Sequence, residues 1–280
     1  MSMTITQSVT ISNVQPQIVT ADRVTAGYPD RTVWRDASFG FERGELVAII
    51  GPNGAGKTTL FRLLLGLQQP ISGSIRIFNE PPKRGNSRIG YVPQRHAIDS
   101  ETNIECMELV HLAFCGHLWG FHLSSKVDRK AALDALEAVG AAELAHQPLC
   151  DLSGGELQRI FLAEALVSSP DILLLDEPMS SLDIRRAKEL VQLVYGVVQS
   201  RKVTALLVAH DINPLLPYLH KIVYIANGKV AIGRPQEVLT SERLTALYDV
   251  HVEVIRDSRG NVAIIGIEDH DHDHDRHGDE

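Results

Sequence analysis

Gly51-Pro52-Asn53-Gly54-Ala55-Gly56-Lys57-Thr58 fits the phosphate-binding pattern G-x-x-x-x-G-K-[ST] without a mismatch. An apolar run, Leu46 to Ile50, precedes it, and a helix-like run, Thr59 to Leu67, follows it, which is the strand, loop and helix context the pattern requires. Gly51, Gly54 and Gly56 let the loop fold back so that successive backbone N–H groups point inward, and the helix that follows adds its positive dipole end. The product is a cradle for a polyphosphate. Lys57 would reach the β- and γ-phosphates, and the Thr58 hydroxyl would ligate Mg²⁺ bridging them. A Gly-rich turn without a ligand is the competing reading, and both context and spacing speak against it.

Further groups along the chain suit the same chemistry. Ile172-Leu173-Leu174-Leu175-Asp176-Glu177-Pro178 reads as an apolar strand, buried on both faces, that ends in two acids. Ligand chemistry in open α/β sheets sits at such carboxyl ends. Asp176 would hold Mg²⁺ through its water shell, and Glu177 would take a proton from the water attacking the γ-phosphate; capping or ion pairing is the plainer role for either acid. A short strand, Ile89 to Val92, ends at Pro93-Gln94, and the Gln94 amide has both a donor and an acceptor for Mg²⁺ or the attacking water. The strand Val203 to Ala209 ends at His210, whose imidazole could sense the γ-phosphate. Upstream, Tyr28 is placed either to stack on an adenine ring or to pack a turn.

A second anion site is readable at Leu152-Ser153-Gly154-Gly155-Glu156-Leu157-Gln158-Arg159, the opening of a helix through Val167. Ser153 is a candidate N-cap, and Gly154 and Gly155 leave the first backbone N–H groups uncovered. Two places for one phosphate chain suggest that two copies meet with ATP between them. An ordinary Ser-capped helix is the alternative.

The elements that must position these groups follow from periodicity. From about Gln17 to Phe41, short apolar runs broken at Gly27-Tyr28-Pro29-Asp30 read as strands joined by a turn. Ser74 to Phe78 resumes as a strand. Thr102 to Gly140 turns helical, with an apolar face over Cys106 to Phe114 and helical spacing of Leu133, Leu136 and Val139. His96, His111, His117 and His122 fall in or beside this region, but their spacing matches no metal-ligand pattern, so packing or partner contact is expected. Lys221 to Ala226 and Lys229 to Ile232 flank Asn227-Gly228, a hairpin signal, and Val252 to Ile255 can pair with Val262 to Ile267.

Composition sets the outer bounds. A chain of 280 residues holds one large domain or two small ones. Of the formal net charge of −8, the stretch Glu268 to Glu280 carries −6, which leaves −2 for the rest. No basic excess points to nucleic acid as the main partner. Cys106, Cys115 and Cys150 lie far apart without C-x-x-C spacing, which fits a reduced, cytosolic setting. Residues 1–16 are polar and are expected to be flexible, with no secretion signal, and the apolar runs fall far short of the roughly 20 residues that cross a bilayer.

Taken in order, Tyr28, the phosphate loop, Gln94, the Leu152-Ser153-Gly154-Gly155 signature, Asp176-Glu177, Asp183 and His210 resemble the ATP-binding subunit of an ABC transporter. The likeness spans about residues 17 to 240; Glu156 departs from the Gln that many relatives carry. The resemblance implies an α/β fold: a P-loop, RecA-like ATPase core, an antiparallel β subdomain, and a helical subdomain at about 96–160 carrying the signature, all within an ATPase domain over 17–267. It implies ATP and Mg²⁺ as cofactors, with Asn53, Thr59 and Asp183 among the nucleotide contacts. It further implies a head-to-tail homodimer sandwiching two ATP molecules and driving a membrane permease from the cytoplasmic face of the membrane. Gly90-Tyr91-Val92-Pro93-Gln94-Arg95 resembles importers of manganese, zinc or iron chelates, which also use an extracytoplasmic substrate-binding protein. A transporter for another solute, or a soluble assembly or repair factor of the same ATPase class without a permease, remains open from sequence.

The stretch 268–280 has no apolar residue and is expected to be disordered. His270, His272, His274 and His277 alternate with carboxylates, a donor set suited to Zn²⁺, Ni²⁺ or Mn²⁺. Metal sensing or buffering, a merely solvated acidic tail and an appended artificial sequence all fit this composition.

Overall fold

A computed structural model describes residues 17–94, 103–115, 126–180 and 182–266. In chain order its first half contains β1 (Gln17–Tyr28), β2 (Arg31–Glu42), β3 (Leu46–Ile50), α1 (Lys57–Leu64), β4 (Ser72–Ile77), β5 (Ile89–Val92), α2 (Cys106–Cys115) and α3 (Lys126–Ala138). The second half contains α4 (Gly154–Leu166), β6 (Ile172–Asp176), α5 (Ile184–Arg201), β7 (Thr204–Val208), β8 (Lys221–Ala226), β9 (Lys229–Gly233), α6 (Pro235–Val238), α7 (Ser241–Tyr248), β10 (Glu253–Arg256) and β11 (Val262–Ile265).

The strands β3, β6 and β7 have five residues each, apolar apart from Asp176 and Thr204 at strand ends, and every one of those residues is buried. Such runs have no polar face to offer water, so they pair in parallel and are covered on both sides. They occupy the middle of a six-stranded sheet of order β5-β6-β7-β3-β8-β9, parallel except for β9, which returns on β8 through Asn227-Gly228. Alternate residues feed two separate cores. Leu46, Ala48, Leu173, Leu175, Ala205 and Leu207 face a core shared with α4, α5 and the α2–α3 pair, while Val47, Ile49, Ile172, Leu174, Leu206 and Val208 face the other layer.

That other layer is α1 and a three-stranded antiparallel sheet of order β2-β1-β4. The β1–β2 hairpin turns at Pro29-Asp30 and pairs from Gln17↔Glu42 to Tyr28↔Arg31. It brings Tyr28 toward the mouth of the phosphate loop. On the opposite side, α2, α3 and α4 pack against one another. The mixed α/β architecture, with a parallel core, an antiparallel sheet and a helical part, is as expected. Observed strands differ from their expected limits by a residue or two, as at Ser72–Ile77 and Thr204–Val208.

Candidate active site

Between β3 and α1 the chain must reverse over six residues, and two glycines set its path. Gly56 has φ +103°, and a Cβ there would lie 2.2 Å from Val33 Cγ1 and 2.9 Å from the Trp34 ring. Gly51 has φ +147°, and its Cβ would meet the Ile225 carbonyl oxygen at 2.0 Å. Only glycine fits either position. Trp34 Nε1 also donates to the Gly56 carbonyl at 3.4 Å, tying the loop to β2.

Lys57 opens α1 and is 5% exposed; its Nζ donates to the Gly51 and Pro52 carbonyls at 2.8 and 3.1 Å. Burial pulls its pKa below the ordinary lysine value, and the charges of Glu177 and then Asp176 push back. Asp176, the last residue of β6, is equally buried and lies 3.5 Å from the Tyr91 hydroxyl. Burial and then the Glu177 charge raise the Asp176 carboxyl above its usual range, restrained by the Tyr91 contact and the Lys57 charge. The lysine and the two acids thus form one electrostatic unit at the carboxyl end of the sheet.

Glu177 takes a left-handed backbone conformation, φ 51°. Such a conformation costs on the order of 1–3 kcal/mol and persists where surrounding contacts enforce it. Here two neighbours hold its carboxylate: Gln94 Nε2 donates to Oε2 at 2.6 Å, and His210 Nε2 lies 2.9 Å from Oε1. Three strand ends, those of β5, β6 and β7, therefore converge on one carboxylate.

A cavity of about 550 Å³ gathers Tyr28, Asn53, Gly54, Gly56, Lys57, Thr58, Thr59, Gln94, Glu177 and His210. Arg31 and Val33 also line it. Neither was picked out from sequence; Arg31 was legible as a cation directly after the turn that follows Tyr28. Tyr28 is 45% exposed and lines the cavity, and its hydroxyl accepts from Arg62 Nη1 at 3.2 Å.

The signature residues lie elsewhere. Ser153 and Gly155 line a separate cavity of about 290 Å³ with Arg159 and Arg186, and Gly154 is exposed. Glu156 Oε2 accepts from the Ser153 N–H at 2.8 Å, one half of a capping box that fixes the start of α4. Asp183 lines neither cavity: it is the N-cap of α5, accepting from the Arg186 N–H at 2.9 Å. In a single chain it is therefore a helix cap. His270, His272, His274 and His277 lie outside the described residues, as do His96, His117 and His122.

A phosphate loop on a parallel sheet, with carboxylates at the end of the next strand but one, defines a P-loop nucleotide-binding ATPase core. The family model described as ABC transporter matches residues 34–180, and the chain belongs to that family, as its ATP-binding and ATP-hydrolysing subunit. It is 35% identical to the manganese transport system ATP-binding protein MntB of Bacillus subtilis (strain 168), over 85% of this chain and 95% of that protein. It is 32% identical to the zinc transport system ATP-binding protein TroB of Treponema pallidum (strain Nichols), over 87% of this chain and 91% of that one. Among solved structures, an inward-facing ABC transporter assigned to the metal-chelate type superposes with a TM-score of 0.76 at 26% identity, covering 90% of this chain and 98% of that chain. Among the described residues no helix is long and apolar enough to cross a membrane.

Proposed function

We propose that this chain powers an ABC importer for a divalent metal ion or a metal chelate of manganese, zinc or iron, from the cytoplasmic face of the membrane, together with a permease and an extracytoplasmic substrate-binding protein. The observation that carries the catalytic part is the carboxylate of Glu177, held between Gln94 and His210 on the wall of the cavity that contains Lys57. Support for the metal cargo comes from the relatives: MntB serves manganese and TroB serves zinc.

In this reading Tyr28 stacks on the adenine, the backbone N–H groups of the loop and Lys57 hold the phosphates, and Glu177 takes a proton from the attacking water. The Thr58 hydroxyl, the Gln94 amide oxygen and the Asp176 carboxylate are an all-oxygen donor set, which suits Mg²⁺. Gln94 spends its Nε2 on Glu177, leaving Oε1 for the ion. Bound with ATP, Mg²⁺ supplies positive charge against the phosphates. His210 contacts the γ-phosphate and, through Glu177, registers its departure.

The phosphate loop and the signature occupy separate cavities of one chain. This arrangement favours a head-to-tail pair in which Ser153, Gly154 and Gly155 of one copy close over ATP on the other, with Asp183 joining at the seam. The stretch 268–280 fits a metal-responsive tail on the same system.

The test is ATP turnover and sedimentation of the full chain with Glu177→Gln. The substitution is expected to keep ATP binding, lower turnover by about 10²–10⁴ and trap a dimer; unimpaired turnover overturns the role of Glu177. Purification from detergent-solubilised membranes separates the transport reading from the alternative: a multi-span partner supports it, and purely soluble complexes would favour an assembly factor.

A further inference from the structure

The α2–α3 pair holds a cluster that plays no part in the nucleotide site. His111 and Cys115 stand one turn apart on α2, at the i and i+4 spacing that puts two side chains on one helix face. Asp128 comes from the first turn of α3 and is 5% exposed. One ligand atom from each of the three, nitrogen, sulfur and oxygen, lies within 4.8 Å of the other two. The His111 Nε2 and Cys115 Sγ atoms are 3.6 Å apart.

These distances have a specific meaning for a tetrahedral ion. With metal–nitrogen and metal–sulfur bonds of about 2.0 and 2.3 Å, the two donors of a tetrahedral Zn²⁺ stand roughly 3.5 Å apart. The observed separation already has that value. An imidazole, a thiolate and a carboxylate together carry two negative charges, which a divalent ion cancels in a half-buried setting. Among the described residues this is the one group of three or more such side chains gathered closely enough to hold an ion.

We propose that His111, Cys115 and Asp128 form a site for a Zn²⁺-class transition-metal ion, with a fourth position open, which staples α2 to α3. The site is independent of the transport reading, since its ligands touch neither the phosphate loop nor Glu177. Both helices pack on α4, whose first residues are Ser153's neighbours in the signature, so the staple sets the helical layer on which the signature rests. Of His96, His111, His117 and His122, only His111 falls within the described residues. Among the described residues His111 belongs to the cluster, and its partners there are a thiol and an acid.

Titrating Co²⁺ into the full-length chain tests the proposal, because thiolate coordination gives a near-ultraviolet charge-transfer band that the cysteine-free stretch 268–280 cannot produce. We expect a band saturating at one Co²⁺ per chain, displaced by equimolar Zn²⁺. It should vanish in Cys115→Ser, weaken at least tenfold in apparent affinity in His111→Ala and in Asp128→Asn, and persist in Cys150→Ser. Circular dichroism of each variant identifies any that fails to fold, and Cys115→Ser, a change of one atom at a half-buried position, keeps the test decisive. Absence of the band in the wild-type chain, or its survival in Cys115→Ser, overturns the proposal. ATP turnover in Cys115→Ser, measured with Mg²⁺ but without added Zn²⁺ or Co²⁺, should equal the wild-type value.

Discussion

His210 Nε2 lies 2.9 Å from Glu177 Oε1 across the ends of two adjacent strands, on the side of the carboxylate opposite Gln94. The pair links the group that would take the proton to the group that would contact the γ-phosphate. A carboxylate with both oxygens engaged has few orientations left, and orientation is what a general base needs.

That geometry predicts non-additive effects. Gln94→Ala and His210→Ala should each lower ATP turnover by about tenfold or more while leaving ATP affinity within a few-fold, because Lys57 and the backbone N–H groups of the loop supply most of the hold on the polyphosphate. The double variant should lose less than the product of the two, since both act through one carboxylate. Strictly multiplicative losses would show that the two side chains act separately.

Glycine at position 56 should be among the least replaceable residues of the loop. In Gly56→Ala, strain at φ +103° adds to a clash with Val33 and buried Trp34, so a destabilisation of about 2–3 kcal/mol is expected, together with loss of ATP binding. Gly54→Ala is the contrasting case. It shares a positive φ, +74°, but its Cβ would find nothing within 4 Å, so about 1 kcal/mol is expected. Thermal melts with and without ATP measure both, and equal losses would remove the steric explanation.

For Tyr28, removing the ring and removing the hydroxyl should part company. Tyr28→Ala is expected to weaken ATP binding by on the order of 1–3 kcal/mol, the value of base stacking. Tyr28→Phe keeps the ring and loses only an exposed hydrogen bond from Arg62, so its affinity should match the wild type. Equal loss in both would mean that the hydroxyl, not the ring face, meets the nucleotide.

Acid stability depends on Asp171. Burial opposes its charge, but hydrogen bonds from Arg88 at 2.6 Å and Arg43 at 2.5 Å prevail and hold the carboxyl below the ordinary aspartate range. A carboxylate with a depressed folded-state pKa stabilises the protein above the unfolded value of about 3.9 and loses that contribution as pH falls through the folded value. Both arginines are nearly half exposed, so the contribution is about 1 kcal/mol after solvent screening. Urea unfolding should separate wild type from Asp171→Asn at neutral pH, with the gap closing below about pH 4. A gap independent of pH would assign the effect to shape rather than charge.

The parts of this site that the sequence announced are those fixed by local geometry. The phosphate loop is legible because Gly51 and Gly56 meet steric demands that no other residue satisfies, and Asp176-Glu177 because an all-apolar strand must end somewhere in polar chemistry. What remained hidden needs contacts between distant segments. Nothing near Gln94 in the chain says that its amide will meet Glu177, and nothing near Asp171 names Arg43 and Arg88 as its partners. Asp183 is the opposite case: its neighbour Arg186 was adjacent all along, and the structure makes it the cap of α5. His111 and Cys115 share a helix face that spacing alone could have revealed, but Asp128 arrives on the next helix, beyond any local pattern.

The strand order carries one last consequence. The strand that bears the phosphate loop, β3, has as its two neighbours β7 and β8, both from the second half of the chain. During synthesis the loop leaves the ribosome long before its flanking strands exist, and before Glu177 and His210 as well. A half-made chain has a glycine-rich segment with no sheet to brace it and no base to activate water. A fragment that stops short of β7 and β8 therefore lacks the frame that ATP turnover requires.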